Sequence, residues 1–372
     1  MTIRQESDVG AGNRALSDFV NGLTRASVVS AAVALATVAM SFVTYCFVFG
    51  EGFTASPLYR YQMSSTLDTH TNVSHKVLSR AGQPGANVII LGTSVTIRCV
   101  ESEAALSDRI AAASGRRYRI DDLATDAQAS WEMAAIVDRL PPADGGVLVI
   151  GLTPGVLGVN PVGDDRSALR GLMNWPRLGF VSTAMDDEAR QMGIDVPWRT
   201  GIGALDNAGY ILSRRKLFVR NLLRGGLVYG DPLKARWYDD VDDPDFWAKE
   251  IGRLPEVAAD YNANAALNFD VIARMVERAR QGRTVEVVVL EAPLNPGWLA
   301  VPEGARFFAR FRADLDAFAR RIGGHHLRIA DRAPFMKADF VDYEGHLANA
   351  AARKRCSDAL ADGIAAMGKK GT

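Results

Sequence analysis

A chain of 372 residues with 48% hydrophobic and 23% charged side chains has the make-up of a globular protein, long enough for one large domain or two small ones. Lysine plus arginine equals aspartate plus glutamate at 43 each, so overall charge gives no basis for binding nucleic acid or a strongly acidic partner. Any charge-driven binding has to be local.

Near the amino terminus, Ala26 to Gly50 contain no charged residue. At about 1.5 Å per residue they cover a hydrocarbon core of about 30 Å, which predicts one transmembrane helix. A cleaved signal peptide competes with this reading, but the apolar run is long and no small-x-small cleavage site follows it. Arg4, Arg14 and Arg25 precede the segment and only Arg60 follows closely, so the basic bias keeps residues 1–25 as a cytoplasmic arm. The main domain is then periplasmic or otherwise outside the cytoplasm. Residues 51–86 are polar, with Gly, Ser, Thr and Pro, and read as a linker between bilayer and domain.

From Asn87 onward, apolar runs alternate with helical patterns: VIIL at 88–91, a helix around Glu101 to Ala113, RYRIDDL at 117–123, a helix around Trp131 to Leu140, and VLVIG at 147–151. This is the rhythm of a parallel α/β sheet. Residues from about 160 to 260 break it and read as an insertion on the carboxyl-end face of the sheet, where substrate walls and lids occur. Within it, Ser213 to Arg224 is basic with interleaved apolar residues, either a surface helix or one that touches lipid headgroups. The acidic run at 239–245 lacks calcium-loop spacing.

The rhythm returns with a helix around Ala265 to Arg280 and the strand TVEVVVL at 284–290. A helix follows whose Phe307, Phe311, Leu315, Phe318 and Ile322 keep helical spacing, and then the strand HLRIA at 326–330. His346 lies in DFVDYEGHL, ahead of a final amphipathic helix.

Ser94 stands out because it follows a buried strand through Gly92, at a strand-to-helix turn of the kind that presents nucleophiles. His346 is the one histidine in a loop just before a long helix, and a serine becomes nucleophilic when an imidazole takes its proton. The plainer readings are a helix N-cap for Ser94 and a capping loop residue for His346. If the two converge, the helices after them become neighbours, and Cys99 and Cys356, which lie on those helices, could form a bracing disulfide. Two unpaired buried cysteines are the alternative. No Cys, His or carboxylate cluster has zinc-ligand spacing, and neither GxGxxG nor a P-loop occurs, so no metal and no nucleotide cofactor is expected.

In these blocks the chain resembles the SGNH, or GDSL-like, hydrolase superfamily, and within it the membrane-anchored bacterial proteins of cell-surface polymer modification, such as the alginate acetylation and teichoic acid D-alanyl transfer proteins. The resemblance covers about residues 87–160 and 284–366. The family's Gly-Asp-Ser block reads Gly92-Thr93-Ser94 here. Its second block aligns with DLATDAQAS, with Asp126 in the turn and Ala127 at the glycine position whose amide serves the oxyanion hole. Its Gly-x-Asn block aligns with Gly151 and Thr153, a threonine in place of asparagine. Its Asp-x-x-His block reads DYEGHL, with one extra residue between Asp342 and His346 and with Tyr343 at the usual acid position.

The resemblance implies a three-layer, flavodoxin-like parallel sheet with helices on both faces, spanning residues 87–368 and preceded by the membrane helix. It implies catalysis by Ser94, His346 and Asp342, with Ser94, Ala127 and Thr153 as oxyanion donors. The implied activity is O-acyl transfer, acetyl most plainly, onto a cell-surface polysaccharide or glycolipid at the bacterial inner membrane, with a membrane-bound O-acyltransferase partner supplying the acyl group. An esterase of the same fold and a non-catalytic glycan-binding scaffold are the alternatives, the latter because three block positions have changed.

Overall fold

Alternation along the strands explains the architecture. In β1 (Asn87–Leu91), Val88 and Ile90 join one buried cluster while Ile89 and Leu91 join another, as successive side chains of a strand point to opposite faces. Both faces are therefore covered, which is the condition of an all-parallel sheet. The computed structural model describes residues 9–65, 68–83, 87–160, 177–191, 193, 198–200, 202–226, 244–342 and 345–368.

With β2 (Arg119–Asp122), β3 (Gly146–Gly151), β4 (Val285–Glu291) and β5 (His325–Arg328), β1 forms a five-stranded parallel sheet in the order β2-β1-β3-β4-β5. Val88 lies opposite Ile120 on β2 and opposite Val147 on β3. The chain leaves β1 toward one edge and returns to β3 on its other side, so the topological switch point, where doubly wound sheets hold ligands, lies between β1 and β3.

The helices, in chain order, are α1 (Val9–Phe49), α2 (Glu51–Ala55), α3 (Thr69–Arg80), α4 (Ser94–Cys99), α5 (Glu103–Ser114), α6 (Ser130–Arg139), α7 (Pro154–Gly158), α8 (Thr183–Gln191), α9 (Gly203–Asp206), α10 (Ala208–Leu223), α11 (Pro244–Arg280), α12 (Pro302–Arg321) and α13 (Ala350–Gly368). On one face, α5 and α13 bury Leu106, Ile110, Leu360 and Ile364 against Val88, Val149 and Val288. On the other, α6, α11 and α12 bury Trp131, Ile136, Ile272, Met275, Phe311 and Leu315 against Ile89, Leu148 and Val287. Local signals set the ends of these helices. At α5 the Ser102 hydroxyl accepts the Ala105 N–H at 3.1 Å, and Gly115 closes the helix at φ 74°.

Helix α1 is long and apolar enough from Arg14 to Cys46 to cross a membrane, and Leu16 through Val43 are exposed. It begins at Val9, so part of the expected arm continues the helix, and it ends at Phe49, next to the expected limit.

The described part of 51–86, residues 51–65 and 68–83, is folded and is not a linker. Asp68 accepts the Thr71 N–H at 3.1 Å to cap α3, and Val73 and Val77, one helical turn apart, are buried with the sheet's core. Phe53 on α2 is buried as well. The folded domain therefore starts just beyond α1.

The expected insertion also changes shape. Its last part, from Pro244, is the first half of α11, which runs unbroken into the predicted Ala265 to Arg280 segment despite Pro255. Helix α10 holds the basic segment. Arg214 is paired with buried Asp68, and Asn221 donates to Met63 O at 2.8 Å, while Val219, Leu222 and Leu223 are exposed. Most of the acidic run, 239–243, and Tyr343 lie outside the described residues. On α12 the apolar stripe is Phe308, Phe311, Leu315 and Phe318, with Phe307 only half-buried.

Candidate active site

Ser94 is the first residue of α4, directly beyond the carboxyl end of β1. The turn that presents it is tight. Gly92 has φ 148°, and a Cβ there would lie 2.2 Å from Thr96 Oγ1. A Cβ on Gly151, at the end of β3, would lie 2.1 Å from the same atom. Two glycines from neighbouring strands thus let the first turn of α4 settle into the switch point.

The N-cap of α4 is Thr93, not Ser94, so the simple capping role for this serine does not hold. Its Oγ lies 2.7 Å from His346 Nε2. His346 Nδ1 lies 2.5 Å from Asp342 Oδ2, and Asp342 Oδ1 accepts the Gly345 and His346 N–H groups, each at 3.1 Å. Those two amides orient the carboxylate, which absorbs the extra residue between Asp342 and His346. Asn349 accepts the Ala352 N–H at 2.8 Å, so Asn349, not His346, caps α13. Asp342 and His346 are both 4% exposed. A carboxylate on Nδ1 leaves Nε2 to take the serine proton, the nucleophile, base and orienter relation that serine acyl chemistry requires.

Ala127 stands beside Ser94 in one cavity of about 350 Å³, together with Thr153. Its backbone is left-handed at φ 48°, a conformation costing an alanine roughly 1 kcal/mol and a glycine nothing. Strain of this kind collects where a backbone group must point in a set direction. The Thr153 hydroxyl accepts the Val156 N–H at 3.3 Å as the cap of α7, leaving its proton available to a group in the cavity. Asp126 accepts from Thr69 Oγ1 at 3.3 Å and stands beside Ala127, not in the hydrogen-bonded chain. Burial raises its carboxyl above the usual range, against the opposing Thr69 hydrogen bond.

Several supporting residues have no motif to mark them. Gln128, buried, accepts the Gly92 N–H at 2.8 Å and donates to Leu123 O at 2.8 Å, tying the Ser94 turn to the Ala127 loop. Thr69 accepts the Asp126 N–H at 3.0 Å from α3. Arg177 donates to Ala127 O at 3.1 Å and to Glu132 Oε1 at 2.9 Å, and Glu132 accepts the Ala129 N–H at 3.0 Å. His70 Nε2 lies 3.9 Å from Glu132, but burial and the Arg177 charge push its pKa down to about 3, so the ring is neutral and no ion pair forms. Asn295, fully buried, donates to Asp342 O at 3.0 Å and holds the acid's loop.

Cys99 and Cys356 are joined in a disulfide with a Cα separation of 5.0 Å, linking α4 to α13 behind Ser94. Cys46, on α1, is a free thiol. Among the described residues no group of three or more His, Cys, Asp or Glu side chains is placed to hold a metal ion.

No family model matches the chain, and no curated protein matches it.

Proposed function

We propose that this chain is a membrane-anchored, extracytoplasmic serine O-acyltransferase of the SGNH type that esterifies a cell-surface polysaccharide or glycolipid through an acyl-serine intermediate. The observation that carries the reading is the chain Ser94 Oγ, His346 Nε2, His346 Nδ1, Asp342 Oδ2, with links of 2.7 and 2.5 Å at the sheet's switch point. Helix α1 supports the anchor, and a disulfide suits an oxidising compartment outside the cytoplasm.

The geometry fits a two-step exchange. Ser94 Oγ attacks the acyl carbonyl carbon as His346 Nε2 takes its proton, and Asp342 stabilises the imidazolium. The amides of Ala127 and Ser94, with the Thr153 hydroxyl, meet the negative oxygen. The bond from carbon to the donor's leaving atom then breaks, and His346 returns the proton to that atom. An acceptor hydroxyl next gives its proton to His346 and attacks the acyl-serine, and as the carbon–Oγ bond breaks His346 passes that proton to Ser94, leaving the sugar ester and the free serine. A membrane-bound O-acyltransferase as the acyl supplier belongs to the same proposal. Water in place of the sugar hydroxyl makes the same machinery an esterase.

The test uses the full chain in lipid nanodiscs, with aryl acetate turnover and covalent labelling by a serine-reactive phosphonate. Ser94→Ala and His346→Ala are expected to abolish turnover, Ser94→Ala to abolish labelling, and Asp342→Asn to lower turnover by roughly 10³- to 10⁴-fold. Adding acceptor glycan separates transfer from hydrolysis. A folded wild-type protein that is never labelled, or polymer modification that survives Ser94→Ala in cells, would overturn the reading in favour of a scaffold.

A further inference from the structure

The cavity that contains Ser94 extends well beyond the reacting atoms. Its volume of about 350 Å³ is more than ten times the roughly 30 Å³ share of one water, which is about the size of the methyl of an acetyl group. Acetyl would leave most of this space unfilled.

The lining decides what fills it. Leu254 and Val257 from α11, Leu294 and Trp298 from the segment after β4, and Phe307 and Phe311 from α12 form an apolar wall. The charged groups that also reach the lining are paired. Glu291 Oε1 accepts from Arg312 at 2.7 Å, while its Oε2 lies 3.4 Å from His326 Nε2, and Glu250 accepts from Arg253 at 3.3 Å. Gln128 spends its amide on Gly92, Leu123 and Thr125, and Thr153 caps α7. Among the described residues, few side-chain groups of the wall are therefore left to hydrogen-bond a sugar's hydroxyls, although Glu291 Oε2 is buried without a hydrogen bond. A site built to recognise sugar needs such partners, because buried hydroxyls left unpaired are costly.

We infer that this cavity receives the acyl chain, and that the transferred group is a medium-length, lipid-like acyl of roughly six to ten carbons and not acetyl. The inference rests on the serine acyl-transfer reading and specifies its donor. The carbonyl sits at Ser94 between the Ala127 and Thr153 donors, and the alkyl chain runs along Leu254, Val257 and Trp298. The bonds made and broken are those of the two-step exchange, with only the acyl substituent changed.

The experiment compares p-nitrophenyl acetate with p-nitrophenyl octanoate on the full chain in lipid nanodiscs, with Val257→Trp as the variant that fills the cavity. Each methylene moved from water into an apolar pocket strengthens binding roughly fourfold, so six more set a ceiling of about 4,000-fold. The octanoate kcat/KM is expected to exceed the acetate value by at least ~50-fold. Val257→Trp is expected to lower that ratio at least ~10-fold. Octanoate binding to Ser94→Ala, measured by calorimetry, is expected and is expected to be lost in Ser94→Ala with Val257→Trp. Acetate turned over as well as octanoate, or a ratio unmoved by Val257→Trp in protein that keeps acetate turnover, would overturn the chain-length inference and leave the serine chemistry standing. No turnover and no labelling with any ester would overturn both.

Discussion

Ala127 is the one non-glycine residue with a left-handed backbone among the described residues. Its amide is the feature the proposed chemistry needs, and its methyl is not. Ala127→Gly is expected to keep ester turnover within a few-fold of wild type. The change removes a steric cost of roughly 1 kcal/mol and adds a smaller entropic cost in the unfolded chain, so a net gain of about 0.5 kcal/mol is expected in urea unfolding. A loss above about 1 kcal/mol would mean that the methyl makes packing contacts outweighing the strain. Ser94 and His346 were legible at this scale because short local patterns mark them, a strand ending in glycine and a loop before a helix, whereas Asp342 was expected only from the resemblance. Gln128, Asn295 and Arg177 were not, since each acts on a backbone atom brought near only by folding, such as Gly92, Asp342 or Ala127. Nothing in the neighbouring letters distinguishes them from ordinary polar residues.

At the scale of elements, α3 departs most from expectation. THTNVSHKVLSR is mostly polar, and two valines a turn apart are a weak periodic signal. The helix forms because Val73 and Val77 find the core, Asp68 caps it, and α10 is tied to it. That tie titrates. Burial opposes ionisation of Asp68, but the Arg214 guanidinium, the Ser64 and Thr71 amides and the Ser64 hydroxyl outweigh it and hold the carboxyl below its ordinary 3.8. A carboxyl lowered in the folded state contributes its full stability above the unfolded value and loses it as pH falls through the folded one. Stability is therefore expected to fall as pH drops below about 4, and Asp68→Asn is expected to flatten that part of the curve. At neutral pH, Arg214→Met leaves a buried carboxylate unpaired and is expected to cost about 3 kcal/mol. Thermal melts from pH 3 to 7 on wild type and both variants check each point. An Asp68→Asn curve parallel to wild type would assign the acid sensitivity to other groups.

For the whole molecule, the disulfide is the longest-range covalent constraint. It joins positions 257 residues apart. In the chain-entropy picture a loop of that size stabilises by about 5 kcal/mol, lowered by any order left in the unfolded chain. Cys99→Ser with Cys356→Ser is expected to lower the melting temperature by about 10 °C, as is reduction of the wild type. Because α4 begins at Ser94, the same variant is also expected to reduce turnover. An unchanged melting temperature would show that packing of α5 and α13 alone holds that face.

The sequence by itself determined the long apolar helix near the amino terminus, the order of the sheet's strands from Asn87, and the local settings of Ser94 and His346. Those features rest on local periodicity, and periodicity is written in adjacent letters. Only the tertiary structure decided that residues 51–65 and 68–83 belong to the folded domain and that Cys99 and Cys356 are joined. It also decided that Asp342 reaches His346 across an extra residue, and that Ser94 opens on an apolar cavity walled by α11 and α12. Each of these depends on distances between segments far apart in the chain. Such distances follow from how the two faces of the sheet are covered, not from the local preference of any one segment.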